Sequence, residues 1–155
     1  MVQSLLASLL AALSLVSSPV AGDALQGTWR ANLSASRFVA GFPALRSQTL
    51  QCAAAQHGAI ACTASRVPVT GKASAAHFTA RYDGRRYPVT GLAEMDNVWL
   101  RRSGRALIAV FSKGTHPVYG YRIEPSADRL HLTIHSIDPR TFRTVYSIVR
   151  YDRVR

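Results

Sequence analysis

Beyond its N-terminal segment this chain alternates apolar and polar residues with period two, in short runs cut by turn-forming residues. That pattern specifies strands, because successive strand side chains point to opposite faces of a sheet. Gln26–Asn32 opens the series. Leu33-Ser34-Ala35-Ser36-Arg37-Phe38 reads as a short helical turn or loop, ended by Gly41 and Pro43. Strands follow at Ser47–Ala55, Ala59–Val67, Ala75–Tyr82, Arg86–Thr90 and Asn97–Arg101. Further strands run over Arg105–Ser112, Pro117–Glu124, Arg129–Ile137 and Thr141–Asp152. Asp83-Gly84 is the strongest two-residue hairpin signal, with Ser103-Gly104, Asp138-Pro139 and Lys113-Gly114 as weaker versions. No segment of this region shows a helical stripe. Strands of this kind joined by short turns form an antiparallel meander, and closure removes its exposed edges. The expected fold is therefore all-β, an antiparallel up-and-down β-barrel of about 8–10 strands, with a sandwich as the alternative.

The last hairpin predicts which face is core. With Asp138-Pro139 as its turn, Leu132 falls opposite Val145 and Leu130 opposite Ser147. Leu130, Leu132, Ile134, Val145 and Val149 then share the interior face. His131, Thr133, His135, Phe142, Thr144 and Tyr146 share the outer one. His131 and His135 stand four residues apart on a strand, roughly 13 Å, too far to hold one metal ion. No metal site is expected.

Leu5 to Val16 is an uncharged run rich in Ala and Leu, shorter than the ~18–20 residues of a permanent membrane helix. Ser17-Ser18-Pro19 breaks it, and Val20-Ala21-Gly22 offers the small residues that signal peptidase requires. Met1-Val2-Gln3-Ser4 has no Lys or Arg, which leaves the terminal amine as the only positive end. The reading is a cleaved signal peptide over residues 1–22 and one domain over 23–155, exported to the periplasm or secreted. The alternative is an uncleaved anchor or a buried helix. No Cys follows the cleavage region, so a lipid anchor is not expected.

All 19 Lys and Arg and all eight acids lie beyond the leader, so the domain carries the full net charge of +11. Lys72 and Lys113 are its only lysines. Such a surface attracts anionic partners, although the arginines are scattered and the bland reading is a solvated surface. Cys52 and Cys62 lie equally far from His57, and Gln56-His57-Gly58 is a natural hairpin loop between them. Folding there sets the cysteines opposite each other, and export permits a disulfide.

Gly27-Thr28-Trp29, followed by Asn32, Ser36 and Phe38, resembles the Gly-x-Trp start of lipocalin-like (calycin) barrels. It is more similar still to a group of small exported bacterial proteins that begin Gly-Thr-Trp-x-x-Asn-x-x-x-Ser-x-Phe. Tyr82-Asp83-Gly84-Arg85-Arg86-Tyr87-Pro88-Val89-Thr90-Gly91 resembles that group's middle element. Tyr151-Asp152-Arg153 resembles its ending, with Arg in place of Lys. The chain departs from the group in its arginine richness, its cysteine pair and the loss of Lys- and Gly-rich turns in its C-terminal half. The resemblance implies a barrel whose first-strand Trp packs against a basic side chain of the last strand. Parity selects the partner: Arg153 shares a face with Val145 and Val149, whereas Arg150 points with Tyr146. A structural cation–π stack of Trp29 on Arg153 is expected, worth ~0.5–2 kcal/mol.

No catalytic constellation is present: no Gly-x-Ser-x-Gly elbow, His-Glu-x-x-His or phosphate-cradling loop. The only glutamates are Glu94 and Glu124, and most aspartates sit in apparent turns. No catalytic residues, enzyme activity or cofactor are expected. Two functional expectations follow. The first is a binder of a small apolar or amphipathic, anionic-headed ligand, with Trp99, Tyr87, Tyr119 and Tyr121 lining the barrel. The second is a basic surface-interaction protein. Its Arg81, Arg85 and Arg86 hairpin and the facing Arg101, Arg102 and Arg105 turn would contact acidic envelope polymers or lipids. Export and the lack of interleaved aromatics at these tips argue against nucleic acid.

Overall fold

The computed structural model describes residues 23–154, apart from the side chain of Tyr146. The expected signal peptide over 1–22 lies outside the described residues. Ten strands alternate up and down: β1 Gly27–Arg37, β2 Leu45–Ala54, β3 Ile60–Pro68, β4 Ser74–Ala80 and β5 Tyr87–Thr90. They continue with β6 Asn97–Ser103, β7 Ala106–Lys113, β8 His116–Pro125, β9 His131–Ile137 and β10 Thr144–Arg153. Each pairs with its sequence neighbours, and β1 pairs with β10, so the sheet closes into an antiparallel barrel. Closure leaves no free sheet edge, although β1 pairs with β2 only over Gly27–Arg30. Among the described residues no helix is long and apolar enough to cross a membrane.

Strand direction gives the barrel two unlike ends. One end carries the short turns between β2 and β3, β6 and β7, and β8 and β9, together with the broad β4–β5 loop. The other carries the β1–β2, β3–β4, β5–β6, β7–β8 and β9–β10 connections. The first is closed. Trp29 is fully buried there and donates its indole N–H to the Leu25 carbonyl at 2.8 Å. The Arg153 guanidinium lies 4.5 Å over its ring. Arg153 is itself held by the carbonyls of Arg129, at 3.0 Å, and Gln26, at 2.8 Å. Gly27, at φ +136, is where this plug demands glycine, since a Cβ there would come within 2.8 Å of the Arg153 guanidinium.

Above the plug the inward residues form one core, with Leu50, Ile60, Val98, Leu100, Leu107 and Leu132 at its centre. Cys52 and Cys62 are direct cross-strand partners within it, joined by a disulfide with Cα atoms 4.2 Å apart. The connection between them is a short turn over Gln56–Gly58, with His57 in the left-handed region at φ 56. His57 is thus a turn residue.

Several sequence expectations are corrected. Leu33–Arg37 is not a helical turn but the second half of β1, and its pairing with β10 shifts between Asn32 and Arg37. Ser36 takes part in that irregularity: its hydroxyl donates to the Asn32 carbonyl at 2.6 Å and accepts from the Arg150 amide at 3.0 Å. Asp83-Gly84 is not a two-residue hairpin. The β4–β5 connection instead reaches sideways, bridging Asp83 to Arg101, with the Gly84 amide on the Leu100 carbonyl at 2.9 Å.

The last hairpin differs most. Leu132 pairs with Tyr151 and Ile134 with Val149, and the register shifts between Thr144 and Ile148. The turn is longer than Asp138-Pro139, because the Asp138 carboxylate caps the amides of Arg140 and Thr141 at 2.8 and 2.9 Å. A wider loop moves the partner of every later residue. Leu132, Ile134 and Val149 still face inward, whereas Leu130 and Val145, expected in the core, are exposed. His131 contacts Asp152 at 2.8 Å and His135 contacts Glu124 at 3.4 Å, so each histidine has its own carboxylate.

Candidate functional site

A second polar and aromatic group lies at the end opposite the Trp29 plug, called the open end because no such plug fills it among the described residues. The disulfide sets the parity of two strands: with Cys52 and Cys62 inward, Gln48 on β2 and Arg66 on β3 also face inward, and the two are cross-strand partners. The β1–β2 loop folds over them. Phe38 stacks on Phe42 with centroids 4.9 Å apart, and the Arg66 guanidinium lies 5.0 Å over the Phe42 ring. Opposite stand the phenols of Tyr119 and Tyr121 from β8 and Tyr151 from β10. Phe78 and Phe111 complete an aromatic chain: Phe78 to Phe111 at 5.6 Å, Phe111 to Tyr121 at 5.9 Å and Tyr121 to Tyr119 at 6.5 Å.

The hydrogen-bond inventory of this mouth is unbalanced. Gln48 donates its amide to the Tyr151 hydroxyl at 2.6 Å, while its Oε1 is buried with no partner. Arg66 takes part in none of the ion pairs among the described residues. A half-buried guanidinium with no acidic partner among the described residues is costly, since charges removed from water are ordinarily paired. Burial pushes the Tyr121 phenol up to about 12; the Arg66 charge opposes this, while Tyr119 and Glu94 add to it. Tyr151 is raised by burial and by Tyr121, against the Gln48 hydrogen bond and Arg66. Both phenols therefore stay protonated at neutral pH and are donors. Tyr151 already accepts from Gln48, which leaves its O–H to give. The mouth thus gathers a cation and two phenolic donors beside an aromatic wall, which is the chemistry of an anion receptor with an apolar flank.

Of the four aromatic residues expected to line the barrel, Tyr119 and Tyr121 meet here, and two stand elsewhere. Trp99 faces outward. It pairs with Val110, packs with Ile108, Val110 and Ile137 in a separate small cluster, and meets Phe142 edge-on at 6.1 Å. That cluster exists because the β9–β10 loop folds down over the outer wall, where Pro139 comes within 3.2 Å of a Cβ built on Gly120. Tyr87 belongs to the closed end. Its hydroxyl donates to Asp83 at 2.7 Å and accepts from Arg81 at 3.0 Å.

The two arginine-rich tips do come together at the closed end, through the Asp83–Arg101 bridge. Much of their charge is engaged there. Arg81 lies 3.4 Å from Asp83, whose carboxyl the Tyr87 hydroxyl and the Arg85 amide hold below the usual carboxylate range. Arg102 covers the Tyr82 ring at 4.2 Å and reaches Asp23 at 3.4 Å, and Arg101 lies 5.5 Å over Trp99. Arg85, Arg86 and Arg105 point to solvent.

Two depressions mark the outer wall. One, of about 370 Å³, is bordered by Thr63, His77, Thr79, Pro88 and Thr90; the other, of about 420 Å³, by Thr28, Gln51, Ala53 and Ala61. Neither has a carboxylate or a guanidinium in its lining. Sequence reasoning missed Arg66 and Gln48. The signal was available in the cysteine pair, whose inward parity carries directly to both.

Searches against protein-family models, curated proteins and solved structures each return no match.

Proposed function

We propose that this chain is an exported binding protein for a small amphipathic molecule, whose anionic head group lies against Arg66 in the barrel mouth. The observation that carries this reading is the Arg66 guanidinium, held inside the rim without a carboxylate. The protonated Tyr121 and Tyr151 phenols supply further donors, and Phe38, Phe42, Phe78 and Phe111 supply the apolar flank. The filled lower barrel confines the ligand to the upper half, so the tail lies along the aromatic wall and not at the Trp29 plug. Displacement of Phe42 from Arg66 opens the way in. The Ala- and Leu-rich leader and the Cys52–Cys62 disulfide support export to an oxidising compartment, periplasmic or extracellular. The Gly27-Thr28-Trp29 opening supports a lipocalin-like relationship.

A second reading is favoured by one observation. Arg85, Arg86 and Arg105 remain exposed after their neighbours are paired, and they would suit an acidic envelope polymer or lipid. Native mass spectrometry of the protein purified from its own cell envelope separates the two. The first reading expects a retained adduct that denaturation releases as an anionic amphiphile. Protein without adduct, which also fails to take up dodecanoate and binds acidic glycan in a salt-sensitive way, favours the second.

A further inference from the structure

We propose that the open end of the barrel is a docking surface for anionic phospholipid bilayers. Seven large hydrophobic side chains are exposed among the described residues, and five belong to the open end. They are Val39 at 40%, Val69 at 52%, Tyr119 at 41%, Phe142 at 50% and Val145 at 38%. They come from four different connections or strand ends, so no single loop accounts for them. Phe142 takes a left-handed backbone at φ 57, unusual for a bulky residue, and stays half exposed while one edge of its ring meets Trp99.

Cations stand between these apolar tips. Arg37, Arg46, Lys72, Arg140 and Arg143 are exposed and take part in no ion pair among the described residues. The acids of this end are largely engaged. Asp96 accepts from the Gly114 amide and the Asn97 side chain and lies 3.8 Å from Lys113. Asp138 is turned onto its own loop, and Glu94 is the acid left open. Apolar tips set among unpaired cations are what an anionic bilayer surface recognises, because shallow insertion and headgroup attraction then act together. The closed end has the cations without this interleaving, as only Leu130 and Val154 are exposed there. The open end also contains the Arg66 mouth, so docking would place that mouth at the headgroup layer.

The test is co-sedimentation of ligand-free protein with phosphatidylcholine vesicles, with and without phosphatidylglycerol. The full domain should partition at least about tenfold more strongly onto phosphatidylglycerol vesicles, given several cations near the surface. A Val39→Ser/Val69→Ser pair and an Arg46→Glu/Lys72→Glu pair should each reduce that binding about tenfold. All four positions are exposed, and circular dichroism checks that the variants fold. An Arg86→Glu/Arg105→Glu pair at the closed end should leave binding within about twofold. Equal partition onto both vesicle types overturns the proposal. So does loss of binding in the closed-end pair alone, or binding that salt removes but the Val39/Val69 pair does not alter. An Arg66→Gln variant that still sediments with vesicles but no longer takes up dodecanoate separates docking from the ligand site.

Discussion

Trp29→Ala should destabilise the domain by about 3–5 kcal/mol, the largest effect expected of any single substitution here. The indole is fully buried, its N–H holds the Leu25 carbonyl, and its face carries the Arg153 guanidinium. Truncation removes all three at once. It opens a cavity against Leu50 of the neighbouring strand, orphans a buried carbonyl and strips Arg153 of its platform. Arg153 keeps its bonds to the Arg129 and Gln26 carbonyls, so the chain ends stay tethered and the barrel still forms. Denaturant unfolding measures the loss. A change under about 1 kcal/mol would mean that the closed end is loosely filled and that the ligand space extends below the disulfide.

The second large effect is on binding. Arg66→Gln should weaken dodecanoate about 10- to 100-fold, the range expected when a charged hydrogen-bonding partner is removed. Affinity for dodecanol, which has the same tail and no charge, should change little. Fold stability should hold or rise, because the substitution removes a partly desolvated cation that has no acidic partner. Calorimetry on the four protein–ligand combinations supplies the contrast. Equal losses for acid and alcohol would make Arg66 a packing residue and leave the head group elsewhere.

Much of the architecture was legible because strands impose a strict alternation. The closed antiparallel barrel follows from that period and the spacing of turns, and the cross-strand disulfide from equal distances to His57. Arg153 was chosen over Arg150 by parity alone, and Arg153 is the side chain over Trp29. Parity fails where the ladder slips. The Asp138-capped loop changed the register of β10, so Val145 left the core while Val149 stayed.

Trp99 illustrates a different limit. Ala106-Leu107-Ile108-Ala109-Val110-Phe111 is an unbroken apolar run, the mark of a strand covered on both faces. Its outer cover comes from a loop distant in sequence, which no local pattern announces. That cover is why a large aromatic can sit on the outside of the wall. Arg66 was obscured for the opposite reason. Among so many scattered arginines an inward one has no compositional signature, and only its parity with Cys62 distinguishes Arg66.

An anionic head group seated against Arg66 in the mouth is directly observable in solution. The most direct measurement is an NMR titration with dodecanoate, following backbone amides together with the arginine side-chain Nε–H signals. The largest shifts should fall on Gln48, Arg66, Tyr121 and Tyr151, with the Arg66 Nε–H moving most among the arginines. Shifts centred on Arg85, Arg86 and Arg105, or along the outer depression at Thr63 and His77, would contradict it.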